Sequence, residues 1–133
     1  MAFQCVVVTP EEQALEATAS QVILPAWDGD VGILTGRAPL LVKLGVGVLR
    51  VDVANGPSRK FVIDGGIAQM KGEKLTILTN QAIAPENIDV AEARAQYAEA
   101  EARIPTDTKT REERTHQMRL ARVQQELAGA RQA

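Results

Sequence analysis

The 133-residue chain has only four aromatic residues, Phe3, Trp27, Phe61 and Tyr97, so any core must be built from Val, Ile, Leu and Ala. Cys5 is the only cysteine, which excludes an internal disulfide and a cysteine cluster for metal, and favours a reducing compartment. His116 is the only histidine; without a second one, a nucleophile–base arrangement or a zinc site has little to stand on. Neither sign of charge dominates, with 15 basic against 17 acidic residues and a formal net charge of −2. No global basic field points to nucleic acid. No apolar run approaches the roughly 18 residues that span a bilayer. The N-terminus lacks the basic and apolar regions of a secretory signal, so the expectation is a soluble chain of the cytosol or an equivalent compartment. A Gly-rich phosphate loop followed by Lys is also missing.

What is present falls into two regimes. Residues 1–86 read as β structure. Phe3, Cys5 and Val7 alternate with Gln4, Val6 and Val8 until Thr9-Pro10 breaks the run. A second run, Leu15-Glu16-Ala17, meets a polar corner, and Val22-Ile23-Leu24 is expected to stop at Pro25. Asp28-Gly29-Asp30 reads as a tight turn. Its two carboxylates could hold a cation, but on one turn they read more simply as turn residues. Pro39 opens a new apolar run from Leu40, and Gly45 and Gly47 alternate with Val46 and Val48, which suggests a bulge or a close backbone approach. Val46 to Val53 reads as a half-buried strand that returns through Asn55-Gly56-Pro57 into Lys60–Ile63 as a hairpin. Asp64-Gly65-Gly66 is expected to break that strand, and Lys71-Gly72-Glu73 is another turn before Leu75–Thr79. Ala82-Ile83-Ala84 closes the region. Many short strands with turn signals about every 8–12 residues argue a β-sandwich or barrel.

Residues 87–133 are rich in Ala, Glu, Gln and Arg, all good helix formers. Asn87 or Asp89 can cap a first helix. Ile88, Ala91, Ala95, Ala98 and Ala102 form one small-residue stripe, and Ala93, Tyr97 and Ala100 another. Pro105 ends that helix. Thr110-x-x-Glu113 reads as the capping box of a second helix, whose apolar stripe is His116, Leu120, Val123, Leu127 and Ala130. The expected product is an antiparallel helical hairpin with a thin, mostly alanine seam. His116 then reads as a helix residue rather than a base or ligand. The second helix is basic: Lys109, Arg111, Arg114, Arg119, Arg122 and Arg131 stand against Glu112, Glu113 and Glu126, a formal +3. The first carries a formal −2. Either the basic helix docks on an acidic partner, or the two helices pair their own charges along a solvated face.

Pro25-Ala-x-Asp-Gly-x-x-Gly-Ile-Leu-x-Gly-x-Ala-Pro-Leu40 resembles the signature loop of the epsilon subunit of F-type ATP synthases. Asp64-Gly65-Gly66-Ile67-Ala68, Leu75–Thr79 and Ile88-Asp89 extend the resemblance along essentially the whole chain. It implies a fold that is mainly β with an α appendage. An N-terminal β-sandwich of about ten strands, residues 1–86, precedes a C-terminal antiparallel helical hairpin, residues 87–133. It implies a non-catalytic central-stalk subunit of a proton-translocating ATP synthase, with partners gamma, the membrane c-ring and, through the hairpin, the beta subunits. On this resemblance Asp28, Gly29 and Asp30 would face the c-ring. Arg37, which stands where the family usually has His, and Val42 would face gamma. Arg111, Arg114, Arg119 and Arg122 would meet beta, making the hairpin a candidate inhibitor of ATP hydrolysis. Such a subunit lies peripheral to the energy-transducing membrane, on the ATP-synthesising side. No metal or resident cofactor is implied. Some bacterial members bind regulatory ATP through Ile/Leu-Asp-x-x-Arg-Ala; here Ile88 and Asp89 match, Glu92 stands in the Arg position and Arg94 comes two residues late. Two residues turn a helix by roughly 200°, so ATP binding is not expected. The alternative to the whole reading is a stand-alone β-sandwich recognition module with a helical tail, which calls for an exposed aromatic platform.

Overall fold

A computed structural model describes residues 2–36 and 38–132, with side chains to residue 129. Among them the chain forms seven strands, a single 3₁₀ turn and two helices. By its contacts it divides into two compact units, Met1–Ala82 and Ile83–Ala133.

Alternation decides the start of the first unit. β1 (Phe3–Val8) turns Phe3, Cys5 and Val7 inward, and all three are buried. β2 (Gln13–Ala26), β3 (Gly29–Leu34), β4 (Leu40–Val53), β5 (Arg59–Lys71), β6 (Lys74–Leu78) and β7 (Ala82–Ile83) follow. The order is β1-β6-β5-β4-β2-β3, and β1 also pairs with β2, so five strands close on themselves while β3 extends the sheet from β2. β1 and β6 run parallel; β1–β2, β2–β3, β2–β4, β4–β5 and β5–β6 are antiparallel. The interior of this barrel-like sandwich is aliphatic, as the scarcity of aromatics requires. Val22, Leu24, Ile33, Leu49, Val51, Val62, Ile63 and Ile77 are fully buried, and each such side chain contributes about 1.5–3 kcal/mol.

Seven strands stand where about ten were expected, because three of them are long. β2 and β4 have 14 residues and β5 has 13. β2 does not stop at its polar corner or at Pro25. Its register against β4 shifts between Ala19 and Gln21 and again between Ile23 and Ala26. At the first shift the Ser20 hydroxyl donates to the Asp52 carbonyl oxygen. The second shift contains Pro25, so its missing N–H falls in a bulge and costs no ladder bond. β5 likewise runs through Asp64-Gly65-Gly66, with φ at +66° and +111° at the two glycines. A Cβ on Gly66 would collide with the Leu78 carbonyl of β6. These glycines bend and pack a continuous strand. Gly47 has the close-approach role read from sequence: a Cβ there would come 2.6 Å from Pro25 Cβ.

In the second unit a 3₁₀ turn (Pro85–Asn87) leads to α1 (Val90–Ala102), capped by Asp89, whose carboxylate accepts from the Glu92 N–H at 3.0 Å. α2 (Thr108–Gln132) starts earlier than the Thr110-x-x-Glu113 box implies. Its cap is Asp107, which accepts from Thr110 N at 2.8 Å, while the Thr110 hydroxyl accepts from the N–H groups of Thr106 and Asp107. The packing faces also differ from the expected stripes. On α1, Ala93 and Ala100 are buried and Tyr97 half-buried, whereas Ala91, Ala95, Ala98 and Ala102 are exposed. On α2 the covered side runs through Arg114, Gln117, Met118, Ala121, Gln124, Gln125 and Ala128. His116 is exposed, Leu120 and Val123 are half-buried, Leu127 is buried, and Ala130 lies outside the described side chains.

Candidate functional site

The outward face of the closed sheet carries a largely apolar row, interrupted by Lys43. Antiparallel pairing sets Lys43 of β4 opposite Ile67 of β5, and Ile67 opposite Leu78 of β6. Leu78 in turn lies beside Val8 of β1. Trp27, just past β2, donates its N–H to the Lys43 carbonyl at 3.0 Å and extends the row on the other side. Trp27 is 67% exposed, Ile67 and Leu78 44% each, and Val8 is half-buried. One step along the same face, Leu41 is 69% exposed. A groove lined by Val8, Thr9, Pro10, Lys43, Gly66, Ile67, Leu78, Thr79 and Asn80 follows the row. Adjacent exposed aliphatics on a formed sheet mark an interaction surface, since scattered single ones would need no account.

The row exists because of two backbone devices. The β2–β3 hairpin turns at Trp27–Asp28, with Gly29 at φ +137° opening β3. Gly66 lets β5 come close to β6 at Leu78, and the Asn80 amide donates to the Asp64 carbonyl at 3.0 Å and ties down the same corner. Asp28, Gly29 and Asp30 are exposed at the hairpin tip, contiguous with Trp27. Val42 is half-buried and has the parity of Leu40 and Leu44, opposite to Leu41 and Lys43. Arg37 lies outside the described residues. The sequence reading missed Leu41, Lys43, Ile67 and Leu78. Their signal was parity alone: Leu41 and Lys43 alternate with the inward Leu44, and Ile67 with the inward Ala68.

On the second unit, Arg111, Arg119 and Arg122 are exposed, while Arg114 is half-buried and donates through Nη2 to the Glu101 carbonyl at 3.0 Å. The Asp89 carboxylate is engaged as the α1 cap, Ile88 is buried, and Arg94 is exposed. Among the described residues no group of three or more His, Cys, Asp and Glu could hold a metal. Phe3 and Phe61 are buried and Tyr97 is half-buried, so Trp27 alone of the four aromatics is exposed, which is not an aromatic platform. No described helix is long and apolar enough to cross a membrane.

Fold and surface together define a docking module: a closed sheet with one apolar outward row, followed by a helical hairpin. The family model for the ATP synthase, Delta/Epsilon chain, beta-sandwich domain matches residues 2–85. An ATP synthase epsilon chain of Rhodopirellula baltica is 46% identical over 100 residues, 75% of this chain and 77% of that one. One from Synechococcus elongatus is 36% identical over 127 residues, 92% of each. Among solved structures, a chain of the Euglena gracilis mitochondrial ATP synthase (OSCP/F1/c-ring) superposes with a TM-score of 0.82 at 22% identity, over 92% of this chain and 78% of that chain. A chain of the Tetrahymena thermophila mitochondrial ATP synthase central stalk/c-ring gives 0.69 at 15% identity, over 94% of this chain and 95% of that chain. At those identities the structures speak for the fold alone. The chain belongs to the ATP synthase epsilon-chain family and is a non-catalytic accessory subunit of that complex.

Proposed function

We propose that this subunit couples gamma to the c-ring in the central stalk and that its hairpin restrains ATP hydrolysis. The sheet docks on gamma through the outward row of Trp27, Lys43, Ile67 and Leu78, and the Asp28-Gly29-Asp30 tip rests on the ring. Arg37 and Val42 belong to the gamma contact by family resemblance. The exposed cations of α2, Arg111, Arg119 and Arg122, meet an acidic segment of the beta subunits, where complementary charge favours encounter. In that role the chain lies peripheral to the energy-transducing membrane, on its ATP-synthesising side. The observation that carries the reading is the exposed row, because an aliphatic strip on a finished sheet face calls for a partner.

The test is ATP hydrolysis by a catalytic head that retains gamma but lacks this subunit, titrated with the full chain. The wild-type chain should bind and inhibit. Ile67→Asp with Leu78→Asp places two charges in the row and should weaken binding at least about thirtyfold, the effect of losing an interface anchor. Normal binding by that double variant would remove the row from the interface. Binding without inhibition by the wild-type chain would leave a coupling piece with no brake.

A further inference from the structure

We infer that Arg114 is the latch of the helical hairpin, holding α2 to the C-terminal end of α1. α1 has no basic residue in its last turn, and its C-cap Arg103 turns its guanidinium back to Glu99 at 3.3 Å rather than to the terminal carbonyls. Four carbonyls at such an end lack intrahelical partners. The Ala100 carbonyl receives the Arg103 N–H at 3.2 Å. The Glu101 carbonyl receives Nη2 of Arg114, which comes from the second turn of the other helix, 13 residues away, at 3.0 Å. The contact lies next to the link between α1 and α2, where it sets the angle between the helices rather than their far ends. The contact has a cost that the Nη2 bond must outweigh: among the described residues, the buried Arg114 Nε has no hydrogen-bond partner.

The latch has a consequence for charge. Arg114 is one of four arginines expected to face an acidic partner, and in the closed hairpin it is spent on a neighbouring helix. Arg111, Arg119 and Arg122 remain outward. Parting the helices frees the fourth guanidinium beside Arg111 on the same side of α2. Closed and open hairpins therefore differ in available charge as well as in shape. This inhibitory consequence rests on the function proposed above; the latch itself does not.

Amide hydrogen exchange on the full chain, without any partner, tests the latch. Arg114→Gln should speed exchange in the last turn of α1 and the first turns of α2 by on the order of tenfold, the worth of one charge-assisted hydrogen bond. Exchange in β1 to β6 should stay as it was, which also shows that the variant folds. Arg111→Gln, an exposed arginine with the same loss of charge, should leave the hairpin unchanged. Unaltered hairpin exchange in Arg114→Gln would overturn the latch. So would equal acceleration in both variants, since charge alone would then account for it. Inhibition of the catalytic head is measured separately, so a latch without a brake is distinguishable from no latch.

Discussion

Replacing Gly66 with Ala should damage the sheet domain severely, and the structure gives the size of the effect. Gly66 has φ +111°. A side chain in that region costs about 1–3 kcal/mol from the backbone alone. The added Cβ would also meet the Leu78 carbonyl inside contact distance and lie 2.8 Å from Thr79 Cα. Both are backbone atoms, so no rotamer change relieves the clash and β5 must separate from β6 near Ile67. Overpacking of this kind costs about 1–3 kcal/mol more. The sum is roughly 2–6 kcal/mol, centred near 4. Gly72→Ala is the control: φ is +63° and nothing lies within 4 Å of the new Cβ, so only the backbone cost of about 1–2 kcal/mol applies. The two units can unfold separately, so a probe confined to the sheet is needed. Cys5 serves: it is fully buried in β1, and burial pushes its thiol pKa up to about 12, which keeps it unreactive until the sheet opens. At the central values of about 4 and about 1.5 kcal/mol, and roughly 4–8 °C per kcal/mol, thermal unfolding read by Cys5 labelling should show Gly66→Ala lowered by about 16–32 °C and Gly72→Ala by about 6–12 °C. Melting of the two variants within a few degrees of each other would refute the close approach of β5 to β6.

Asp89→Ala removes the α1 cap and should lower hairpin stability by about 1 kcal/mol, read as lost helicity by circular dichroism, with Cys5 labelling unchanged. Acid should fray the start of α2. The Asp107 carboxyl lies below its ordinary value, chiefly because it accepts the Thr110 backbone N–H and then the Thr110 hydroxyl. A depressed folded value means that its stabilisation is complete above about pH 4, the unfolded pKa, and is lost as pH falls through the folded one. Helicity should therefore drop below pH 4 in the wild-type chain and change less in Asp107→Asn.

The β region was legible because its signals are local. Alternation in Phe3–Val7, a turn at Gly72, and the Asn55-Gly56-Pro57 return from β4 to β5 each lie within a few residues. What misled were local breakers with non-local uses. Pro25 reads as a stop, but its missing donor falls in a bulge against β4. Gly65-Gly66 reads as a break, but it bends β5 toward a carbonyl twelve residues away at Leu78. The parallel pairing of β1 with β6 joins positions some 70 residues apart and leaves no local trace. The apolar row was missed for the same reason, since its members come from separate strands and meet only once the register is set. In the helices the breadth of the packed face misled. An apolar stripe through His116 and Val123 was the natural choice, yet Arg114, Gln117 and Gln124 take the covered side, because long polar side chains bury their stems and keep their heads partnered or wet.

The two units are held by different physics, and that difference bears on function. The sheet closes through continuous ladders and backbone contacts that admit no extra carbon at Gly66, so it has few neighbouring states to visit. The hairpin buries mostly methyl groups. Ala93, Ala100, Ala121 and Ala128 contribute about 0.8 kcal/mol each, no more in total than one or two buried leucines. Leu127 and the Arg114 contact add a few more such increments. A partner that prefers the open helices by about 5.5 kcal/mol could move the hairpin from almost fully closed to almost fully open. On the function proposed above, a single charged interface would supply that preference while the sheet stays docked by its apolar row. A rigid sheet and a weakly held hairpin thus follow from one composition: aliphatic, glycine-punctuated strands first, and alanine-rich helices after them.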